Sequence, residues 1–271
     1  MQTFETPGTL LVTITCAVGD VVVDTHDAPT TRVDVVALKD DDATREAVAN
    51  TLVELRPRGD GTELVVEVPK RHGSIFGREP RVRIDVLAPH GTDLGFTTAS
   101  AEVTAKGTFG NVRGRTASGD VTVHEANDLR LETASGDLTA DDVRGDATLK
   151  SVSGDVKVGT VAGVLDGNVV SGDLHVAAAE RGGSANAVSG DIDLVAVTEG
   201  PVEVRSVSGD VTVGIRAGSR VHVDVTTVSG DLRSDVDLAD SPGGNGAGPL
   251  VDIRGRTVSG DVRVRRAAAA R

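Results

Sequence analysis

The chain has 271 residues, enough to bury a substantial core, and its 41 acidic and 28 basic residues give a net charge of −13. This negative field repels phosphate backbones, and four Phe with no Trp or Tyr leave few platforms for stacking bases. We therefore expect no nucleic-acid partner. The single cysteine, Cys16, permits neither an internal disulfide nor a thiolate metal cluster.

The first 92 residues are predicted to form a β-rich N-terminal cap and the initial rungs of a repeat array. Asp41–Ala49 is the one convincing helical segment, because it starts with acidic residues as helix N-termini prefer. Asp60-Gly61 between two alternating runs predicts a hairpin. The strand candidates are Leu10–Thr15, Val21–Asp24, Arg32–Leu38, Leu52–Arg56, Glu63–Val68 and Arg81–Leu87.

The chain start has no basic region typical of a secretory signal. The apolar stretch from Leu10 to Val18 is interrupted by Thr13 and Thr15, so it predicts no membrane span. We expect a cytoplasmic protein without membrane insertion.

A basic segment at residues 69–81 stands out in this acidic chain and has an apolar tip between loop-forming residues. It could contact an anionic lipid surface or an acidic partner. The alternative is that its apolar side chains fold back onto the cap and its charges are only solvated. The candidate partner-binding residues are Lys70, Arg71, Phe76 and Arg78.

The tripeptide Ser-Gly-Asp recurs eight times in the last two-thirds of the chain, each time followed by an aliphatic residue. The spacings are 17, 18, 18, 18, 19, 21 and 30 residues, and such a near-fixed period is typical of stacked structural units. Gly permits positive φ, and Ser or Asp can bond local amides, so the triplet predicts a structural turn. The copies are Ser118, Gly119, Asp120; Ser135, Gly136, Asp137; Ser153, Gly154, Asp155; Ser171, Gly172, Asp173; Ser189, Gly190, Asp191; Ser208, Gly209, Asp210; Ser229, Gly230, Asp231; and Ser259, Gly260, Asp261.

Apolar and polar residues alternate on both sides of each motif. After the first copy, Val121 and Val123 flank the polar Thr122, and before the second copy Leu129 and Leu131 flank Arg130. Alternation with period two predicts two short strands per repeat, each with one buried face.

These patterns predict an all-β fold, a single-stranded parallel β-helix (β-solenoid) with about nine regular rungs of about 18 residues within residues 93–265. The count includes a degenerate copy at Ser100-Ala101-Glu102, and Val18-Gly19-Asp20-Val21 resembles another. We expect a right-handed coil, because parallel connections are generally right-handed and the inward positions do not follow a hexapeptide period. Residues 236–250 are predicted to be a loop inserted into one rung, and residues 266–271 a flexible tail.

The stacked aspartates raise the alternative of a cation column. Carboxylates about 4.8 Å apart repel by roughly 0.9 kcal/mol in water, and a cation could relieve that repulsion. Calcium, however, needs six to eight oxygens, and one Asp per turn supplies few. We interpret the column as architecture and expect no metal site, no cofactor and no catalytic residue.

The repeated Val-Ser-Gly-Asp-Val-x-Val, at Val152–Val158 and Val207–Val213, resembles the bacterial putative-adhesin β-strand-repeat family, also called domain of unknown function 4097. The segment Arg81–Pro89 also resembles the strand-and-proline segment that precedes the family's repeats. The resemblance implies a β-helical, non-catalytic domain, and some members are connected with cell-envelope stress. The family has no agreed site, so the resemblance implies no functional residues.

The sequence favours a non-enzymatic interaction or scaffold protein. Its rigid solenoid would present polar ladders, such as the column from Thr122 to Arg263, to an unidentified protein partner, either a regulator or a membrane-associated complex. One alternative is an enzyme acting on acidic polysaccharide, because right-handed β-helices host many such enzymes. The other is a self-assembling structural protein, which would need uncapped apolar rungs at both ends.

Overall fold

The computed structural model describes residues 1–69, 79–236 and 248–267. Apart from the helix α1 (Asp42–Ala49), its regular elements are β-strands, so the all-β prediction is confirmed. The chain forms two compact units, unit 1 (Met1–Gly136) and unit 2 (Asp137–Arg271).

The described part of unit 1 contains ten strands, most of them in parallel pairs with one buried face. The long strand β2 runs parallel to β7 and places Gly19-Asp20 opposite Ala101-Glu102. Both degenerate motif copies are therefore stacked rungs, as the sequence predicts. The strands are β1 (Gln2–Glu5), β2 (Leu10–His26), β3 (Thr30–Ala37), β4 (Leu52–Arg58), β5 (Gly61–Glu67), β6 (Val82–Pro89), β7 (Asp93–Phe109), β8 (Val112–Thr116), β9 (Val121–Ala126) and β10 (Leu129–Thr133).

Antiparallel strands form the outer edge of unit 1. Strands β5 and β6 run parallel to β2, while β4 pairs antiparallel with β5, β3 with β6, and β1 with β3. Strand β4 carries Pro57 between Arg56 and Arg58, and proline and charge on an edge strand discourage pairing with another chain.

Two local predictions in this region are confirmed. Helix α1 begins after Asp41, whose carboxylate accepts the Thr44 backbone N–H at 2.7 Å; this hydrogen-bonding lowers the pKa of Asp41. The predicted hairpin joins β4 to β5, although its two loop residues are Gly59 and Asp60 rather than Asp60-Gly61. Gly59 has φ +58°, which suits the first loop position of a tight hairpin.

Unit 2 is built from two parallel ladders whose strands alternate along the chain. The first ladder is β12 (Ala147–Ser153), β14 (Leu165–Ser171), β16 (Gly183–Ser189), β18 (Gly200–Ser208), β22 (Leu250–Ser259) and β20 (Arg220–Ser229). The second ladder is β11 (Leu138–Val143), β13 (Val156–Val161), β15 (Leu174–Ala179), β17 (Ile192–Val197), β19 (Val211–Ile215), β23 (Val262–Arg266) and β21 (Leu232–Ser234). A Ser-Gly-Asp turn links the two strands of each rung, which is a β-solenoid-like arrangement.

The last repeat of the chain is not the last rung of the ladders. Strand β22 pairs with both β18 and β20, so Ser259 lies opposite Ser208 on one side and Ser229 on the other. The sequence predicted a loop inserted into one rung at residues 236–250, but its described ends belong to two different rungs. Residues 237–247 and the tail from residue 268 lie outside the described residues.

The alternating columns form the core of each unit. In unit 2 the positions three and five after the motif Ser are buried through most rungs, as at Val156 and Val158. Gly167 in the inward column of β14 leaves space for Leu174, whose Cδ2 would lie 2.7 Å from a Cβ at that position. The occasional inward glycine therefore accommodates a larger neighbour.

The motif glycines set how closely the rungs approach. A Cβ on Gly190 would overlap the carbonyl oxygen of Gly172, and a Cβ on Gly209 would overlap that of Gly190. Gly190 also has φ +141°, a backbone angle that residues other than glycine rarely adopt. In unit 1, a Cβ on Gly119 would overlap the carbonyl oxygen of Ala101.

We expect Gly119→Ala to lower the free energy of unfolding by about 2–4 kcal/mol, because the added methyl group forces two rungs apart. Gly95→Ala on β7 is the matched control, since its nearest neighbour would be Thr13 Oγ1 at an ordinary 3.9 Å. That variant should change stability by no more than about 0.5 kcal/mol. Urea denaturation measures both, and equal stabilities would contradict the steric role of the glycine.

Candidate functional site

The motif aspartates of unit 2 form a continuous hydrogen-bonded ladder. Six of the seven aspartates donate their backbone N–H to the Oδ1 of the aspartate in the adjacent rung, and these charge-assisted bonds oppose the mutual repulsion of the carboxylates. The N···O distances are 2.9 Å for Asp155 to Asp137, 3.1 Å for Asp173 to Asp155, 2.9 Å for Asp191 to Asp173, 2.8 Å for Asp210 to Asp191, 2.9 Å for Asp261 to Asp210 and 2.9 Å for Asp231 to Asp261.

In four copies of the motif a hydroxyl residue two positions before the Ser bonds to the turn glycine, a feature that the sequence analysis missed. In unit 1, Thr116 and Thr133 accept the N–H groups of Gly119 and Gly136, each at 2.9 Å. In unit 2, Ser151 donates to the Gly154 carbonyl at 2.9 Å. The signal was available, because this position is Ser or Thr in six of the eight copies, namely Thr116, Thr133, Ser151, Ser206, Thr227 and Thr257. Hydrogen bonds within a rung thus involve the motif glycines, and hydrogen bonds between rungs involve the motif aspartates.

An exposed row of valines runs along the first ladder of unit 2, and we call it the valine ridge. Each valine immediately precedes a motif Ser, and adjacent strands bring the residues into one row. With strands about 4.8 Å apart, six residues span about 24 Å. The ridge consists of Val152 (51% exposed), Val170 (43%), Val188 (46%), Val207 (48%), Val258 (50%) and Val228 (83%).

The sequence contained a signal for this ridge that the alternation analysis did not use. The position before Ser is Val in all six copies from residue 152 onward, whereas the equivalent exposed residues of unit 1 are Ala99, Ala117 and Ala134. Short loops and turns that face water are usually polar. A repeated branched apolar residue at that place indicates a contact surface or an unusually apolar corner.

Polar side chains border the valine ridge on both sides. One border is the aspartate ladder, and the other is the outward column two residues before the valines. In that column Asn186 Nδ2 donates to Asn168 Oδ1 at 3.0 Å, and the exposed cations Lys150, Arg205 and Arg256 continue it. An apolar row with a polar rim is the usual composition of a protein-contact surface.

A second surface feature is a shallow arginine-lined groove on unit 1. Arg115 and Arg130 both bond Glu132, at 3.0 and 2.9 Å. Hydrogen-bonding from Arg130, together with the charge of Arg115, lowers the pKa of Glu132, so this carboxylate is ionised at neutral pH. Arg113 lines the same groove and forms no ion pair within the part of the chain that the structure describes. The groove therefore presents the Arg113 guanidinium near an ionised carboxylate.

The family model for Toastrack DUF4097 matches residues 30–265. The chain belongs to the Toastrack DUF4097 family. The resemblance seen in the motif residues is thereby confirmed.

Three solved structures are similar to this Toastrack chain. A putative adhesin from Parabacteroides distasonis has 15% identity and a TM-score of 0.47, covering 97% of this chain and 95% of its own. A putative adhesin from Bacteroides fragilis has 11% identity and a TM-score of 0.44, with the same coverage of 97% and 95%. A putative cell adhesion protein from Clostridium sporogenes has 9% identity and a TM-score of 0.25, covering 95% and 92%. Comparison with curated proteins finds no match.

The predicted binding loop of this Toastrack protein, with Lys70, Arg71, Phe76 and Arg78, lies outside the described residues. Within residues 1–69, 79–236 and 248–267, no three His, Cys, Asp or Glu side chains are grouped so as to hold a metal ion. No helix in those ranges is long and apolar enough to cross a membrane.

The aspartate ladder predicts a difference between two variants of one residue. Asp191→Ala removes the acceptor for the Asp210 N–H and should lower the free energy of unfolding by about 1 kcal/mol. Asp191→Asn keeps an oxygen acceptor and removes one charge from the column, so its stability should stay within about 0.5 kcal/mol of the wild type.

Urea denaturation with and without a chelator measures both Asp191 variants. We expect no effect of the chelator on any of the three proteins. If Asp191→Asn destabilised the protein as much as Asp191→Ala, and the chelator lowered the stability of the wild type, the aspartate column would hold a cation. That result would contradict a purely hydrogen-bonding role.

Proposed function

We propose that this Toastrack protein is a non-enzymatic interaction scaffold and that the valine ridge is its contact surface for a protein partner. The observation that carries the proposal is the continuity of the ridge, where six exposed valines occupy six neighbouring strands. Single exposed apolar residues are ordinary on protein surfaces, but a contiguous apolar row with a polar rim marks an interaction site.

The rigidity of the rungs supports this use. The valines are one residue from the Ser-Gly-Asp turns, where the aspartate bonds of 2.8–3.1 Å fix each rung to the next. A surface held in place before binding loses little conformational entropy on association. Its mixed border of aspartates and cations suits an amphipathic segment of a partner, with an apolar face about as long as the ridge.

The same proposal includes the finer features that the sequence suggests. They are a right-handed coil of about nine rungs, a cytoplasmic location, no cofactor, and a partner that is a regulator or a membrane-associated complex. The motif period and the parallel ladders support the coil of stacked rungs. The ionised, arginine-bound Glu132 supports the absence of acid catalysis in the groove.

The ridge proposal predicts a specific cross-linking pattern. A photo-reactive amino acid at position 188 should cross-link one defined protein in the native host, and the same amino acid at exposed position 36 of unit 1 should not. The triple variant Val170→Thr, Val188→Thr, Val207→Thr keeps strand-forming residues and should reduce recovery of that protein about tenfold or more.

The matched control is the triple variant Val36→Thr, Leu38→Thr, Leu52→Thr, which changes three other exposed apolar residues of 38–41% exposure. Both triple variants should unfold at the temperature of the wild type. Equal recovery of the partner with both variants, or cross-linking as strong from position 36 as from position 188, would contradict the proposal.

The arginine-lined groove supports a second candidate, the binding of an acidic polysaccharide without cleavage. Arg113 is the group available to a carboxylate, because Arg115 and Arg130 already bond Glu132. Guanidinium groups bind carboxylates in a bidentate manner. The net charge of −13 opposes the approach of a polyanion, which is why this candidate ranks second.

Affinity electrophoresis through polygalacturonate gels tests the groove. If it binds, the wild type should be retarded and Arg113→Ala should migrate freely, while Arg263→Ala on β23 of unit 2 should behave as the wild type. Equal mobility of all three proteins would remove this candidate without affecting the ridge proposal.

A further inference from the structure

The outermost rung of unit 2 leaves one sheet edge open within the described part of the chain. Strand β20 pairs with β22 and β21 with β23, and neither has a second described neighbour beyond them. The inward column of this rung is less covered than its neighbours, since Leu232 is 48% exposed while Val262 opposite it is 4% exposed. Val223 and Val225 are likewise only half-buried.

Among the described residues, the backbone of β20 has pairing groups on the side away from β22 that no strand uses. The Arg220 N–H donates to the Pro249 carbonyl at 2.8 Å, on the side facing β22. Because successive residues of a strand direct their N–H and C=O groups to opposite sides, those of Val221, Val223 and Val225 face away from β22. Open edges of this kind are templates for strand pairing.

We propose that a second copy of this chain covers the edge, with the two β20 strands paired antiparallel about a two-fold axis. A register centred on Val223 places Val223 opposite its own copy and Val221 opposite Val225, so the half-buried column is continued across the interface. On the outward face the same register places His222 opposite Asp224, a pairing in which an imidazole N–H can donate to a carboxylate. Shifting the centre to Asp224 would oppose two aspartates.

The charges of this edge permit self-association of an acidic protein. Arg220 and Asp224 lie on β20, Arg233 bonds Asp231 at 3.1 Å beside β21, and His222 bonds Asp252 at 2.8 Å. Positive and negative groups are therefore mixed along the edge, although the chain as a whole has a net charge of −13.

A two-fold pair uses the same edge on both copies and closes at a dimer. The outer strand β4 of unit 1 is a poor alternative, because it is antiparallel to β5 and carries Pro57 and three charged residues. The interface therefore accounts for a dimer and gives no filament. The dimer interface and the valine ridge share strand β20, but they use different residues of it: Val221 to Val225 for the dimer and Val228 for the ridge.

Light scattering after size-exclusion chromatography, over a wide range of protein concentration, tests the dimer. We expect a mass of twice 27.7 kDa at high concentration. Val223→Pro removes an edge N–H that faces away from β22 and should raise the dimer dissociation constant about tenfold or more. Asp224→Arg removes the carboxylate that would face His222 of the second copy and puts a longer side chain there, so it should act in the same direction without touching the half-buried column.

The control is Asp166→Arg, which makes the same change of charge at the equivalent outward position of the interior strand β14 and should leave the dimer intact. A monomer at every concentration, or a dimer that resists both Val223→Pro and Asp224→Arg, would overturn the proposal. Circular dichroism of each variant verifies that it is folded, and Asp224→Arg decides the case if Val223→Pro unfolds.

Cross-linking tests the register directly. Val223→Cys places a thiol beside its own copy on the two-fold axis, so mild oxidation should give a covalent dimer, while Val207→Cys on the interior strand β18 should not. The native Cys16 does not interfere, because it is 1% exposed and burial raises the pKa of its thiol to about 11. Efficient cross-linking of Val207→Cys, or none of Val223→Cys, would contradict the register.

Discussion

The close approach of successive rungs at the Ser-Gly-Asp turn is the constraint on which the rest of the structure depends. A Cβ on Gly190 would overlap the Gly172 carbonyl oxygen, so glycine at this position of the Ser-Gly-Asp turn lets the strands on both sides remain paired. The same approach brings each Asp N–H within 2.8–3.1 Å of the carboxylate in the adjacent rung. The repeated tripeptide is therefore explained by stacking, and each of its copies contributes to one ladder.

That constraint also determines the surface. Because every turn has the same geometry, the residue before it faces outward in every rung, and valine at that position becomes a row rather than a set of scattered side chains. A row of this kind is a property of the repeat, not of any single rung. It offers a partner a long, regular and rigid contact, whereas the arginine-lined groove of unit 1 is local and lies on a chain with a net charge of −13.

The order of the rungs has a separate consequence. Strand β22 lies between β18 and β20, so the repeat that precedes it in the chain becomes the outer one. Its half-covered valines, and the backbone groups that no other described strand pairs with, are the basis of the proposed dimer. Unit 1 ends differently, in antiparallel strands with proline and charge, which shows how the same chain protects one edge and leaves another available.

The sequence by itself determined the local features: the all-β class, the stacked repeats, the buried alternating columns, and the one short helix with its acidic start. These follow from fixed periods and from short-range bonding, which are visible in neighbouring residues. Only the tertiary structure decided the place of the last repeat, the partner of each aspartate, the exposure of Val152 to Val258, and the meeting of Arg113, Arg115 and Arg130. All of these depend on which rungs are neighbours and on how much of each side chain the neighbouring rungs cover. Both are determined by contacts between residues that are far apart in the chain.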